Sequence, residues 1–288
     1  MKAIYKKEMQ GYFTSMIAYL FMAGFVLLVG IYFTVYCVVN SVADFAGYVL
    51  PSTCIGFILL VPIITMRLWS EEKKQKTDQL LLTAPISVTK IVLGKYLAVV
   101  TLYVITIGLM LLFPFMLHFY GDVTWATVFT GFLGYFLLGC SLMAVGLFIS
   151  SLTENQIVSA VVSIVVILVF FFMNNLADNF PGRARYSIAL CVLIVGVIMA
   201  VFYFSTKRIL PSVVAGIIGV GAIAGTYFVK PAIFENGLSK FVNWFSVLDR
   251  FYNFTDGLLD VSSIVYYLSF IGVFLFLTIY TIEKKRWN

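Results

Sequence analysis

Long apolar runs separated by short polar breaks recur along the chain. A membrane-crossing helix needs about 20 apolar residues. Runs of that order fall at about 15–39, 52–68, 91–113, 124–150, 157–174, 187–204, 209–229 and 263–281. Their length, rather than any period of two, predicts an all-α polytopic membrane protein with eight spans. Pro62 is expected to kink the second span, and Trp69 to sit at its membrane–water boundary. Pro114 is expected to close the third. Gly131, Gly134, Gly139 and Gly146 in the fourth permit close helix contact. Ahead of the first span, residues 1–14 carry Lys2, Lys6 and Lys7 and form a basic amphipathic start. No small-residue cleavage site follows the first span, so no cleavable leader is expected. Ahead of the last, Leu238, Phe241, Phe245, Leu248 and Tyr252 are spaced 3, 4, 3, 4. That spacing lays one apolar stripe along a helix, so 238–256 is read as interfacial helix on the outer side, or as partly re-entrant.

The densest charge lies between the second and third spans, in RLWSEEKKQKTDQLLLTAPISVTKIVLGK, residues 67–95. Ser70 is expected to cap a helix over 70–84, with Glu71 and Glu72 in its first turn, where carboxylates favour the positive end of the dipole. Lys73, Lys74 and Lys76 follow. The helix ends in Leu80, Leu81 and Leu82, and Pro85 resists its continuation. A loop meant only for water has no use for three leucines in a row. This helix therefore reads as a surface held by another protein; a solvated basic loop that only sets topology is the alternative.

Composition agrees with the spans: 62% hydrophobic, 11% charged and mean hydropathy +1.03 over 288 residues, against about 25% charged for a soluble domain. Eight spans leave no room for a soluble catalytic domain. The formal charge of +6 does not point to nucleic acid, because excess Lys and Arg in membrane proteins mostly mark the cytoplasmic side. With both termini inside, fourteen of the nineteen Lys and Arg lie on that side, including the 67–95 cluster and Lys284, Lys285 and Arg286. Cys37, Cys54, Cys140 and Cys191 contain no CxxC pair and read as small apolar packing residues. His118 has no carboxylate or thiol cluster beside it and is read as interfacial, so no metal site is expected.

HExxH, GxSxG and Walker-type GxxxxGK[ST] patterns are absent. No Asp, Glu, Lys, Arg or His falls near the middle of a predicted span, where an ion-coupled transporter usually carries one. If this chain moves something uphill, the energy is expected to enter through a cytoplasmic partner gripping 70–84. Backbone-only ion sites at broken helices are the alternative.

The segment EEKKQKTDQLLLTAPISVTKIVLGKYL resembles the cytoplasmic loop of type-2 ABC exporter permeases. There an acidic start precedes a threonine, a leucine pair, a proline-containing turn and a Gly-Lys opening the next span. The matching positions are Glu71, Glu72, Thr77, Leu80, Leu81, Pro85, Gly94 and Lys95. The family often has glycine where this chain has Lys76. The ending RFYNFTDGLLDVSSIVYYLSFIGVFLFLTIYTIEKKRW is also similar to the family's, and the closest likeness is to the gliding-motility-associated group. The resemblance covers about 1–176 and 240–287. It implies a six-span core with both termini inside, and 187–229 as an inserted two-span hairpin. It also implies a single permease domain, 1–288, paired with a second permease, the same or homologous, in membrane lipid, and with two ATP-binding subunits. ATP and Mg would bind those subunits, and this chain would bind no cofactor and catalyse nothing. The ATPase-coupling residues would be Glu71, Glu72, Lys74, Thr77, Leu80, Leu81, Leu82 and Pro85, with Leu80 to Leu82 filling an apolar notch. Leu238, Phe241, Phe245 and Leu248 would form an extracellular gate. Alternatives to a permease are a membrane scaffold using the same loop and a secondary transporter.

Overall fold

The computed structural model describes residues 1–83, 85–179 and 242–287. Contacts divide the chain into two units: Met1–Val169 with Val247–Asn288, and Phe170–Ser246. Among the described residues the structure is helical throughout, with no strand. In order come α1 (Lys2–Thr14), α2 (Met16–Phe33), α3 (Leu50–Thr53), α4 (Ile55–Thr65), α5 (Arg67–Lys74) and α6 (Asp78–Thr83). Then follow α7 (Val88–Met110), α8 (Leu112–Leu117), α9 (Trp125–Leu152), α10 (Gln156–Asn179), α11 (Val247–Thr255) and α12 (Val261–Trp287). π-Helical turns at Thr34–Val39 and Phe45–Val49 prolong α2 and lead into α3.

Among the described residues five helices are long and apolar enough to cross a membrane: Met16–Val39, Val88–Leu117, Trp125–Leu152, Gln156–Asn175 and Val261–Arg286. A bent pair, Phe45–Thr53 with Ile55–Lys74, makes a sixth if counted as one span. These coincide with six of the eight predicted runs. The runs at 187–204 and 209–229, Cys191, Leu238 and Phe241 lie outside the described residues.

Three local expectations are corrected. The 50° bend of the second span falls between Thr53 and Ile55, not at Pro62, which stays buried inside α4. One turn before the bend, Pro51 has no N–H to give, and the ladder tightens there to Cys54 N→Pro51 O and Phe57 N→Cys54 O. The third span runs past Pro114 for another turn, because the helix breaks earlier, at Leu111. The stripe over 238–252 is not one helix. Val242–Trp244 are helical and that helix ends at Phe245 and Ser246, whose N–H groups go to the Val242 and Asn243 carbonyls, and α11 starts at Val247. Its buried face is Val247, Phe251 and Phe254; Leu248 is half-buried and Tyr252 exposed. Two stripes of helical spacing overlap here, offset by one residue, and the spacing alone cannot choose between them.

In the first unit the centre is α9. Of its apolar stretch 83% is buried, against 22–39% for the other four single-helix spans. The predicted glycines explain how neighbours reach it. A Cβ on Gly134 would lie 2.6 Å from the Phe254 Cβ of α11, and one on Gly131 would lie 3.0 Å from Leu50. Added carbon at Gly139 or Gly146 would collide with Tyr103 of α7 or Thr65 of α4. Around α9 an aromatic cluster joins Phe25, Phe57, Tyr103, Tyr135 and Phe251, with ring centroids 4.7–6.4 Å apart in the contacting pairs. The Tyr103 hydroxyl donates to the Tyr135 carbonyl at 2.7 Å. Each such aromatic pair contributes about 0.5–1.5 kcal/mol beyond burial. The outward side chains, such as Leu20, Leu27, Phe129 and Phe276, stay exposed, as suits a lipid-facing surface.

Candidate functional site

The charged segment after α4 becomes the meeting point of four parts of the chain. α5 continues the axis of α4 after a single turn residue, Met66. Ser70 therefore lies in mid-helix and does not cap it; its hydroxyl donates to the Met66 carbonyl. Glu71 and Glu72 correspondingly lie outside any first turn. The helix expected over 70–84 is two helices. α5 ends at Lys74, Lys76 adopts φ +57°, and α6 begins at Asp78. Thr77 closes the elbow by giving its N–H to the Glu72 carbonyl at 2.9 Å. Asp78 lies in the first turn of α6 and accepts the Gln79 N–H at 3.0 Å.

One face of α5 turns inward. Leu68, Trp69, Ser70, Glu72 and Lys73 are buried. Glu72 was expected to face a partner protein; it instead forms an ion pair with Lys95 at 2.9 Å and accepts from Lys7 at 2.9 Å. Lys95, 1% exposed, also reaches Glu8 at 2.7 Å and the Leu68 carbonyl at 2.8 Å. Its ammonium lies 5.2 Å from the Trp69 ring centroid, so Trp69 is buried beneath a cation rather than placed at the membrane boundary. Burial alone would raise the pKa of Glu72, but Lys95 and Lys7 outweigh it and hold the carboxyl below its ordinary value. Gly94 lets α1 come this close: a Cβ there would lie 3.2 Å from Ile4. Between α1 and α5 lies a cavity of about 330 Å³, lined among others by Lys7, Tyr12, Arg67, Gln75 and Thr77.

The Trp69–Lys73 side of α5 is held by the end of α9. Ser150 Oγ donates to the Met66 carbonyl at 3.0 Å and accepts the N–H groups of Trp69 and Ser70 at 3.1 and 3.3 Å. Lys73 donates to the Ser151 carbonyl, at the helix end where a cation is favoured. Burial, and then the nearby Lys285 ammonium, push Lys73 down to about 8.

The predicted coupling residues thus divide. Glu72 faces inward, Glu71 pairs with Arg67 at 2.8 Å, and Thr77 holds the turn. Lys74, Gln75, Lys76, Gln79, Thr83 and Pro85 are exposed, and Leu81 is half-buried. Leu80 and Leu82 belong to α6. Of the predicted gate, Phe245 is half-buried in the second unit, and Leu248 flanks the buried face of α11. Sequence reasoning missed the roles of Glu8, Lys73, Lys95 and Ser150. The available signal was slight: Glu8 is the lone acid of a basic helix, and Lys95 a lone cation at a span's edge.

Lys76 gives a local test. A left-handed conformation costs an L-residue about 1–2 kcal/mol, and glycine's extra freedom in the unfolded chain returns only part of this. Lys76→Gly is expected to stabilise the detergent-solubilised protein by about 0.5–1 kcal/mol, read as a raised thermal midpoint. An unchanged or lowered midpoint would refute the strain.

A model of the family described as ABC-2 family transporter protein matches residues 38–186, more than half of the chain. The match takes in α3 to α10 and so the whole elbow with its α9 clasp. No curated protein matches the chain.

Proposed function

Because the chain belongs to the ABC-2 family of transporter proteins and is a multi-pass permease subunit of an ABC transporter, a transport component rather than an enzyme, we propose that α5 and α6 form its coupling elbow. The family implies association with an ABC ATP-binding subunit. In this reading two such subunits bind ATP and Mg, and a second permease, identical or homologous, completes the passage. The elbow faces the cytoplasm, together with both chain ends, and the complex lies in the cytoplasmic membrane. It works as an exporter of the gliding-motility-associated kind. α11 lies at the outer exit.

The observation that carries this reading is the contrast between the two halves of the elbow. α5 is clamped by α1, α7 and α9, while its last residue Lys74, the turn residue Lys76 and Gln79 of α6 are exposed to solvent. A handle needs one fixed side and one exposed side. The docking surface is accordingly narrower than the sequence pattern implies: Lys74 to Pro85, with Leu80, Leu81 and Leu82 in the apolar notch, and Glu72 in support.

The test is purification from native membranes with partners identified by mass. An ABC ATPase is expected in stoichiometric amount, and Leu81→Asp is expected to remove it while leaving the permease monodisperse. An ATPase that stays bound to Leu81→Asp would displace the docking surface from α6. A preparation that carries no ATPase would remove the proposal.

A further inference from the structure

We infer that α9 is the rod that carries the elbow's movement to α11, and that the Ser150 hydroxyl is the pin joining rod to elbow; Ser150 is a positioning residue. This rests on the proposed coupling to a partner ATPase. Three observations carry it.

First, the joint lies at a break. The helix between α4 and α5 is interrupted at Met66, where a hinge would bend most easily, because backbone groups there lack the regular ladder. Ser150 Oγ is inserted at this break, bonded to one carbonyl and two N–H groups across it. A swing of α5 about Met66 must therefore pull on α9 or break three bonds. Lys73 on the Ser151 carbonyl holds the same end from one turn further along.

Second, slack has been removed along the rod. Thr65, beside the break, presses on Gly146; Tyr103 presses on Gly139; Phe254 of α11 presses on Gly134. At each of these positions a single added carbon would collide, so the helices move against one another as solids rather than through compressible side chains. Gly134 and Ser150 are about 24 Å apart along α9 at 1.5 Å per residue. The contacts thus run from the elbow end of the unit towards the other.

Third, the far end is built to receive the movement. α11 buries Val247, Phe251 and Phe254, and its terminal turn at Gly257, φ +81°, brings the chain against Thr127 near the start of α9. Beyond that turn Leu258 is 62% exposed, so a change in α11 is readable there.

The test uses the assembled permease–ATPase complex, with the native cysteines replaced by alanine and Leu258→Cys introduced. The rate of maleimide labelling is compared between nucleotide-free and vanadate-trapped states. In the parent complex the two rates are expected to differ by at least ~5-fold, the lower end of coupling between linked sites. Ser150→Ala is expected to bring the ratio close to one while the ATPase stays bound and nucleotide is still trapped. Ser151→Ala is the control. It deletes the same hydroxyl one residue along, but that hydroxyl bonds only Phe148 O of its own helix, so the ratio should be retained. A preserved ratio in Ser150→Ala overturns the inference, as does an equal loss in Ser151→Ala. A parent complex that traps nucleotide without any change at position 258 also overturns it. A parent chain that binds no ATPase overturns the proposed function itself, and the rod with it.

Discussion

Gly139→Leu is expected to prevent α9 from seating and to destabilise the solubilised protein by about 3 kcal/mol or more. Overpacking a tight core costs about 1–3 kcal/mol, occasionally more, and this position sits at the unfavourable end. The obstacle is the Tyr103 ring, which cannot rotate away freely. Its hydroxyl is bonded to the Tyr135 carbonyl, and its face stacks on Phe136 at 6.1 Å. α9 is also the most enclosed span, so its backbone has nowhere to shift. Gly139→Ala should cost less, about 1–2 kcal/mol. Gly108→Ala and Gly272→Ala are the controls. A Cβ there meets nothing within 4 Å, so both should be neutral or slightly stabilising, alanine being the better helix former. Thermal unfolding in detergent, with the monodisperse fraction by gel filtration, separates the cases. If Gly139→Leu melts with the Gly108 variant, α9 is not packed as described.

Lys95→Met is expected to cost about 3–5 kcal/mol, because it strands Glu8 and Glu72 without their shared buried cation. Lys7 cannot replace it: its side chain is 60% exposed, and an ion pair that open to water contributes about 1 kcal/mol or less. The loss should be local before it is global. α1 loses the buried Glu8–Lys95 ion pair, retaining the exposed Lys7 on Glu72 at 2.9 Å, the Ile4 contact at Gly94, Tyr5 on Thr101 at 3.1 Å and Tyr12 on the Ile64 carbonyl at 3.2 Å. Faster proteolysis near residues 1–14, with a lowered thermal midpoint, would show this. Adding Glu8→Gln and Glu72→Gln to Lys95→Met removes the stranded charges and should recover much of the midpoint. A triple variant no better than the single would mean that the lysine acts through its stem and the Leu68 carbonyl, not through charge.

Much of this was legible beforehand, because it depends on local properties. Among the described residues run length alone placed the spans, since bilayer thickness fixes how many apolar residues a helix needs. The glycines of α9 announced close approach, since only an absent side chain permits it. The leucines and charges of 67–85 marked a segment unlike the rest. What was not legible depended on partners distant in sequence. Ser70 looks like a cap from its neighbours, yet nothing after Met66 stops the helix, and Ser150, eighty residues away, bonds the N–H of Ser70 itself. Glu72 looks like solvent-facing charge until Lys95 and Lys7 are brought to it. The two stripes in 238–254 are equal by spacing, and only the groove at Gly134 selects Phe254 over Tyr252.

Apolar length and the placement of charge were thus enough to declare a helical membrane protein with a polar elbow between its second and third spans. Which side of that elbow is clasped and which is exposed was decided in three dimensions. A buried charge or hydroxyl takes its meaning from the group that satisfies it, and along this chain those groups come from other helices.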